Sequence, residues 1–206
     1  MIAMRRKWLV SLTALVGLGT AGAVAYAQFK PQPTPPLEGA RQQSAWDFRL
    51  VAIDGEPMPL SKFRGHVVLL VNTASKCGFT KQYEGLKKLH TDYVGKGLTV
   101  LAVPSGDFLG QEFGSNKEIA GFCESTFGIR FPMAEKSHVV GPKAIPLYRW
   151  AAARLGADNT PRWNFHKYLI GRDGQPIASF GSKVEPLDPA ITRAIEGALQ
   201  ARQPKA

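Results

Sequence analysis

Cysteine is nearly absent from this 206-residue chain, which holds only Cys77 and Cys123. They do not form a Cys-x-x-Cys pair, so the usual redox dithiol motif is missing. The four histidines, His66, His90, His138 and His166, have no metal-ligand spacing, which excludes a structural zinc site, and no cofactor is expected. No block of five or more like charges occurs. The net charge of +10 is scattered and no nucleic-acid motif accompanies it, so it reads as a solvated basic surface with no nucleic-acid partner. No internal repeat is present. The length suits one domain with a short appendage.

That appendage is N-terminal. Arg5, Arg6 and Lys7 form a basic start, and Trp8 to Tyr26 carries no charge. Ala25-Tyr26-Ala27 has the small-x-small form of a cleavage site, so residues 1–27 read as a signal peptide cut before Gln28. An uncleaved membrane anchor is the competing reading, because the run is long enough to span a bilayer. Either way the expectation is an exported, periplasmic protein. Removing the three leader cations leaves a charge of about +7, which allows association with an anionic membrane surface. Residues 28–44 read as a linker, because Pro31, Pro33, Pro35 and Pro36 favour extended backbone. The folded domain is expected over 45–206.

Within it, Ala45 to Ala52 alternates as an edge strand, and Asp54-Gly55 signals a hairpin turn. His66 to Asn72 is almost continuously apolar, as a strand buried on both faces requires. Tyr83, Leu86, Leu89 and Tyr93 give the next segment one apolar helical face, with Thr80 or Ser75 as its cap. Leu98 to Val103 is a second buried strand. Lys117 to Phe127 is a helix capped by Ser115 or Asn116, and Pro146 to Leu155 is another. Trp163 to Ile170 and Gln175 to Phe180 form a hairpin, followed by a helix from Pro189 to Ala201. The expected fold is α/β and thioredoxin-like: a mixed central sheet flanked by helices, with an N-terminal β-hairpin.

In an oxidising compartment two cysteines first suggest one structural disulfide. It would close a 46-residue loop, and the chain-entropy model gives that about 4 kcal/mol. A domain of this size buries enough core without it, so local context decides. Cys77 lies between a buried strand and a helix, where backbone N–H groups favour an anion. Lys76 and Lys81 add positive charge. An ordinary thiol is about 3 per cent ionised at pH 7, and half ionisation would raise that only about 16-fold, for about 2 kcal/mol. Ionisation alone is therefore a small gain. A reactive thiol site also needs donors that stabilise charge on a departing group. Gln111, Trp163 and Asn164 are neutral donors on other segments.

Val71-Asn72-Thr73-Ala74-Ser75-Lys76-Cys77-Gly78-Phe79-Thr80-Lys81-Gln82-Tyr83-Glu84-Gly85-Leu86 resembles the nucleophile segment of the glutathione peroxidase family, with cysteine where some members carry selenocysteine. Leu109-Gly110-Gln111-Glu112-Phe113-Gly114 resembles its glutamine segment. Phe131-Pro132-Met133, Pro146-Leu147-Tyr148 and Trp163-Asn164-Phe165-His166-Lys167-Tyr168-Leu169 resemble three further blocks, in order. The resemblance spans roughly residues 46–200. It implies a thiol peroxidase acting on hydrogen peroxide and organic or lipid hydroperoxides in the response to oxidative stress. Cys77, Gln111, Trp163 and Asn164 would be its catalytic set. Trp163 and Asn164 are adjacent, so the strand must begin irregularly if both serve. The block around Cys123 resembles the resolving-cysteine block of the thioredoxin-dependent, two-cysteine branch. Cys123 would then form a turnover disulfide with Cys77 after local unwinding of its helix. The reductant would be a thioredoxin-like protein or glutathione. The short segment between Tyr148 and Trp163 resembles the monomeric branch.

Two departures stand out. Pro104-Ser105-Gly106-Asp107-Phe108 replaces the usual Pro-Cys-Asn-Gln-Phe, and Asp107 could set a negative charge near Cys77. Glu112-Phe113-Gly114 lacks the usual proline. Two other readings remain open: an envelope thiol–disulfide oxidoreductase, and a non-catalytic envelope protein with a permanent Cys77–Cys123 disulfide.

Overall fold

The computed structural model describes residues 30–201, so the leader reading for residues 1–27 lies outside the described residues. A short antiparallel hairpin pairs β1 (Arg49–Val51) with β2 (Pro57–Pro59). The main sheet holds β3 (Val67–Thr73), β4 (Leu98–Pro104), β5 (Lys167–Ile170) and β6 (Pro176–Phe180) in the order β4-β3-β5-β6. β3 and β4 run parallel, and β3–β5 and β5–β6 are antiparallel, so the sheet is mixed as expected.

Every residue of β3 and β4 is buried. Their β-branched and Leu side chains fill both faces, which is why neither strand alternates in sequence. Among the described residues four α-helices follow the expected order: α1 (Gln82–Tyr93), α2 (Asn116–Phe127), α3 (Pro146–Leu155) and α4 (Pro189–Gln200). α1 packs on β4, α3 against β6, and α4 on β3. Ser115 caps α2 with a capping box closed by Glu118. Asp188 caps α4. Neither Ser75 nor Thr80 caps α1, whose first flanking residue is Lys81 with no side-chain cap. The Thr80 hydroxyl instead holds the preceding loop.

Residues 45–52 are not one strand. A 3₁₀ turn at Ala45–Asp47 precedes β1, and Trp46 tucks its indole against Gly174 of the β5–β6 turn. A Cβ on Gly174, where φ is +78°, would lie 2.5 Å from the Trp46 indole nitrogen. The proline-rich stretch is docked on the body. Arg149 of α3 donates to the carbonyls of Pro35 (3.1 Å) and Pro36 (3.0 Å), and Trp150 donates to Gln43 (3.3 Å). Extended prolyl backbone has no ladder partner, so its carbonyls are open to side-chain donors. Among the described residues no helix is long and apolar enough to cross a membrane.

Candidate active site

Three loops at one end of the central strands carry the expected site residues. The first follows β3. There the Thr80 hydroxyl accepts from the Cys77 N–H (3.0 Å) and faces the carbonyls of Ala74 (2.9 Å) and Cys77 (2.7 Å). This folds residues 74–80 into a tight turn just ahead of α1, with Cys77 five residues before the helix begins. The Phe79 N–H points at the Cys77 sulfur at 3.5 Å. The anion-favouring donor is thus a turn amide, not the first turn of α1. Cys77 is 8 % exposed, and both cysteines are free thiols.

The second loop follows β4. The Lys76 N–H donates to the Gln111 carbonyl at 2.9 Å, which ties this loop to the first next to the sulfur-bearing residue. Leu109 (φ +57°) and Gly110 (φ +64°) bend it through the left-handed region, where a residue with a Cβ is strained. Lys76 sends its ammonium over the Phe113 ring, 4.2 Å from the centroid, and so engages the second loop.

The third loop precedes β5, which begins only at Lys167. Asn72 of β3 holds it open: its amide donates to the Trp163 carbonyl (3.1 Å), and its carbonyl accepts from the Phe165 N–H (2.6 Å). Phe165 takes φ +61°. The strand therefore starts irregularly, as joint use of Trp163 and Asn164 requires. Asn164 Nδ2 donates to Gln111 Oε1 at 2.9 Å, and the Trp163 ring packs on Phe108 with centroids 5.8 Å apart. Gln111, Trp163 and Asn164 thus form one constellation across the second and third loops, joined to Cys77 through Lys76. With Oε1 occupied, the Gln111 amide N–H groups are left to meet a ligand.

The Asp107 carboxylate of the second loop is held by residues 138–140. Its Oδ1 meets His138 Nδ1 at 2.6 Å, and its Oδ2 accepts from the N–H groups of Val139 (2.7 Å) and Val140 (3.1 Å). Three donors converge on the carboxylate and commit it to the 138–140 loop. Asp107→Asn should therefore change the second-order rate with peroxide by less than about threefold, while loosening that loop by about 1 kcal/mol. Stopped-flow peroxide consumption and urea unfolding check the two halves. A rate rise of tenfold or more would show that the charge reaches the sulfur.

Two charged residues went unremarked in the sequence. Glu112 is 5 % exposed, and its Oε1 accepts from the N–H groups of Ser75 (3.2 Å) and Phe113 (2.7 Å). Burial pushes its carboxyl above the ordinary range. Lys167 is wholly buried; its ammonium donates to Gln82 Oε1 and to the Val184 carbonyl (2.6 Å), and burial pushes it down to about 7. The local sequence carries little signal for either, since Glu112 follows Gln111 and Lys167 follows His166. On α2, Cys123 is 1 % exposed and its thiol is pushed up to about 11, first by burial and then by the nearby Glu112 carboxylate. Burial pushes His166 down to about 3, so its imidazole is neutral at working pH. No group of three or more His, Cys, Asp or Glu able to hold a metal occurs among the described residues.

Residues 45–152 match the family described as glutathione peroxidase. The glutathione peroxidase of Lactococcus lactis is 46 % identical over 143 residues, covering 68 % of this chain and 91 % of that one. Hydroperoxy fatty acid reductase gpx1 of Synechocystis is 42 % identical over 149 residues (68 % and 88 %). The thioredoxin/glutathione peroxidase BtuE of Escherichia coli is 39 % identical over 169 residues (71 % and 92 %). Among solved structures, T. cruzi GPX1 superposes with a TM-score of 0.62 at 34 % identity, over 76 % of this chain and 97 % of that one. A thiol:disulfide interchange protein of Chlorobium tepidum shares the thioredoxin-like fold alone, at 17 % identity and a TM-score of 0.53 over 83 % and 98 % of the two chains. With the segments bearing Cys77, Gln111 and Trp163-Asn164 gathered at one end of a thioredoxin-like sheet, the chain belongs to the glutathione peroxidase family and is a peroxidase.

Proposed function

We propose that the protein is an exported, monomeric thiol peroxidase that reduces hydrogen peroxide and organic or lipid hydroperoxides through Cys77. The observation that carries this reading is the coupling of the Cys77 loop to the Gln111–Asn164 pair by the Lys76-to-Gln111 backbone bond. The Cys77 thiolate attacks the terminal peroxide oxygen. The O–O bond breaks, Cys77 becomes a sulfenic acid, and the departing oxygen takes a proton to leave as alcohol or water. Gln111, Asn164 and Trp163 orient the peroxide and stabilise charge on the departing oxygen.

Cys123 then attacks the Cys77 sulfur, giving a disulfide and water. A thioredoxin-like dithiol reduces that disulfide and is itself oxidised; two molecules of glutathione would balance the same step. Relatives named as a thioredoxin/glutathione peroxidase and as a glutathione peroxidase-like peroxiredoxin support a thiol reductant, and those named hydroperoxy fatty acid reductases support a lipid substrate. The basic surface and the apolar leader support work in the periplasm, at or near a membrane surface.

The test is peroxide turnover with thioredoxin or with glutathione as electron donor, alongside mass spectrometry of the peroxide-treated protein. Faster turnover with thioredoxin and a Cys77–Cys123 disulfide are expected. Identical oxidation products from wild type and Cys123→Ser would remove the resolving role.

A further inference from the structure

Two residues other than glycine take a positive φ among the described residues, Leu109 (+57°) and Phe165 (+61°). That backbone is strained for any residue with a Cβ. For Phe165 the side chain gives the reason. Its ring is wholly buried and meets Tyr83 edge-on, with centroids 5.4 Å apart. Leu109 gains no such burial. It is 53 % exposed, the most exposed large apolar side chain among the described residues, and it lies outside the apolar core. Gly110 beside it takes φ +64°, so glycine already serves at the next step of the same bend. A leucine at 109 is thus unfavourable twice, in its backbone and in the apolar surface it leaves in water.

The fold holds the loop in this shape from both sides. Before Leu109, the Asp107 carboxylate is held by His138, Val139 and Val140, and the Phe108 ring is wholly buried against Trp163. After it, the Gln111 carbonyl takes the Lys76 N–H and Gln111 Oε1 takes the Asn164 amide. Inside the bend, the Gly110 N–H donates to the Gly106 carbonyl at 3.1 Å. Leu109 is left outside, two residues before Gln111, on the loop that is bonded to the residue preceding Cys77.

Cys77 is 8 % exposed, so a hydroperoxide brings only its O–O end to the sulfur and its organic group stays outside. The two joined loops carry apolar side chains on which that group can rest. Phe79, half-buried, gives its N–H to the sulfur at 3.5 Å. Phe113, also half-buried, has the Lys76 ammonium 4.2 Å from its ring centroid. Leu109 adds the exposed aliphatic surface.

We propose that Leu109 is a specificity-determining residue, packing on the aliphatic group of an organic hydroperoxide while its O–O end is reduced at Cys77. The proposal rests on the reading of Cys77 as the nucleophile for organic and lipid hydroperoxides. An alkyl chain laid on Leu109 removes apolar surface of both partners from water. Hydrogen peroxide has no such group and gains nothing from the leucine.

The reduced full chain is mixed with hydrogen peroxide or with monomeric linoleic acid hydroperoxide, and loss of the Cys77 thiol is followed by quenched flow and mass spectrometry. Leu109→Gly and Leu109→Asn supply residues that accept positive φ and remove the aliphatic surface. Each should lower the second-order rate with linoleic acid hydroperoxide by about tenfold and leave that with hydrogen peroxide within about twofold of wild type. Leu109→Met keeps an apolar side chain and should hold both rates within about threefold. A ratio of the two rates that stays at the wild-type value in Leu109→Gly or Leu109→Asn overturns the proposal, whether neither rate changes or both fall together. In the second case Leu109 only shapes the loop. Wild type that reacts with hydrogen peroxide alone overturns it too. If wild-type Cys77 reacts with neither peroxide, the reading of the nucleophile fails and the proposal with it, and that is seen without any variant.

Discussion

Cys77→Ser is expected to lower peroxide turnover by at least about 10³-fold, with the thermal unfolding midpoint unchanged within a few degrees. The hydroxyl is nearly isosteric, and it can still accept from the Phe79 N–H as the sulfur does. What it lacks is ionisation and nucleophilicity at neutral pH. Removing a donor is a smaller loss. Gln111→Ala should reduce kcat/KM for peroxide by about tenfold to a hundredfold, because one preorganised donor is lost while the nucleophile remains. It also strips Asn164 of its partner, so part of the fall comes from a looser third loop. The order of the two effects is the test. If Gln111→Ala were as damaging as Cys77→Ser, the amide would be doing more than orienting and stabilising. If Cys77→Ser kept more than a tenth of the turnover, the nucleophile would lie elsewhere.

Lys167→Ala is expected to destabilise the fold by about 3 kcal/mol at pH 7. Two acceptors, Gln82 Oε1 and the Val184 carbonyl, are left buried and unpaired, and a cavity opens between the sheet and the 182–185 segment. Lys167→Met loses the bonds but keeps the packing, so it should fall between wild type and alanine. The pH dependence separates charge from packing. Folded, the ammonium titrates near 7; unfolded, near the ordinary 10.5. Between those values the unfolded chain binds the extra proton, so this group makes stability rise with pH. Its cost is present in full below pH 7 and gone above 10.5. Urea unfolding at pH 7 and pH 9.5 should show wild type gaining on Lys167→Met as pH rises. Parallel curves would mean that the amine titrates normally.

Lys167 also marks where reading the sequence stops. In Trp163-Asn164-Phe165-His166-Lys167-Tyr168-Leu169 nothing local names the partners that let a lysine be buried. It is inside because the turn held by Asn72 delays β5 until Lys167, and because Gln82 and Val184 supply acceptors from segments 85 and 17 residues away. The partners of Asp107 were hidden for the same reason: its carboxylate is taken by donors 31 to 33 residues downstream. The capping of α1 was misjudged locally, since Thr80 closes the Cys77 turn and leaves α1 uncapped by a side chain.

Local chemistry was enough where it had no competitor. Unbroken Val and Leu runs can only be strands buried on both faces, and Ser115 with Glu118 can only begin a helix well. The sequence alone determined the order of strands and helices, the mixed sheet, and the segments bearing Cys77, Gln111, Trp163 and Asn164. Only the tertiary structure decided which polar groups meet: Lys76 with Gln111, Gln111 with Asn164, Asp107 with His138, and Glu112 with Ser75. Hydrophobic periodicity is a property of neighbours in the chain and can be read along it. A hydrogen bond between loops depends on angstrom-level placement of atoms that the chain separates by tens of residues.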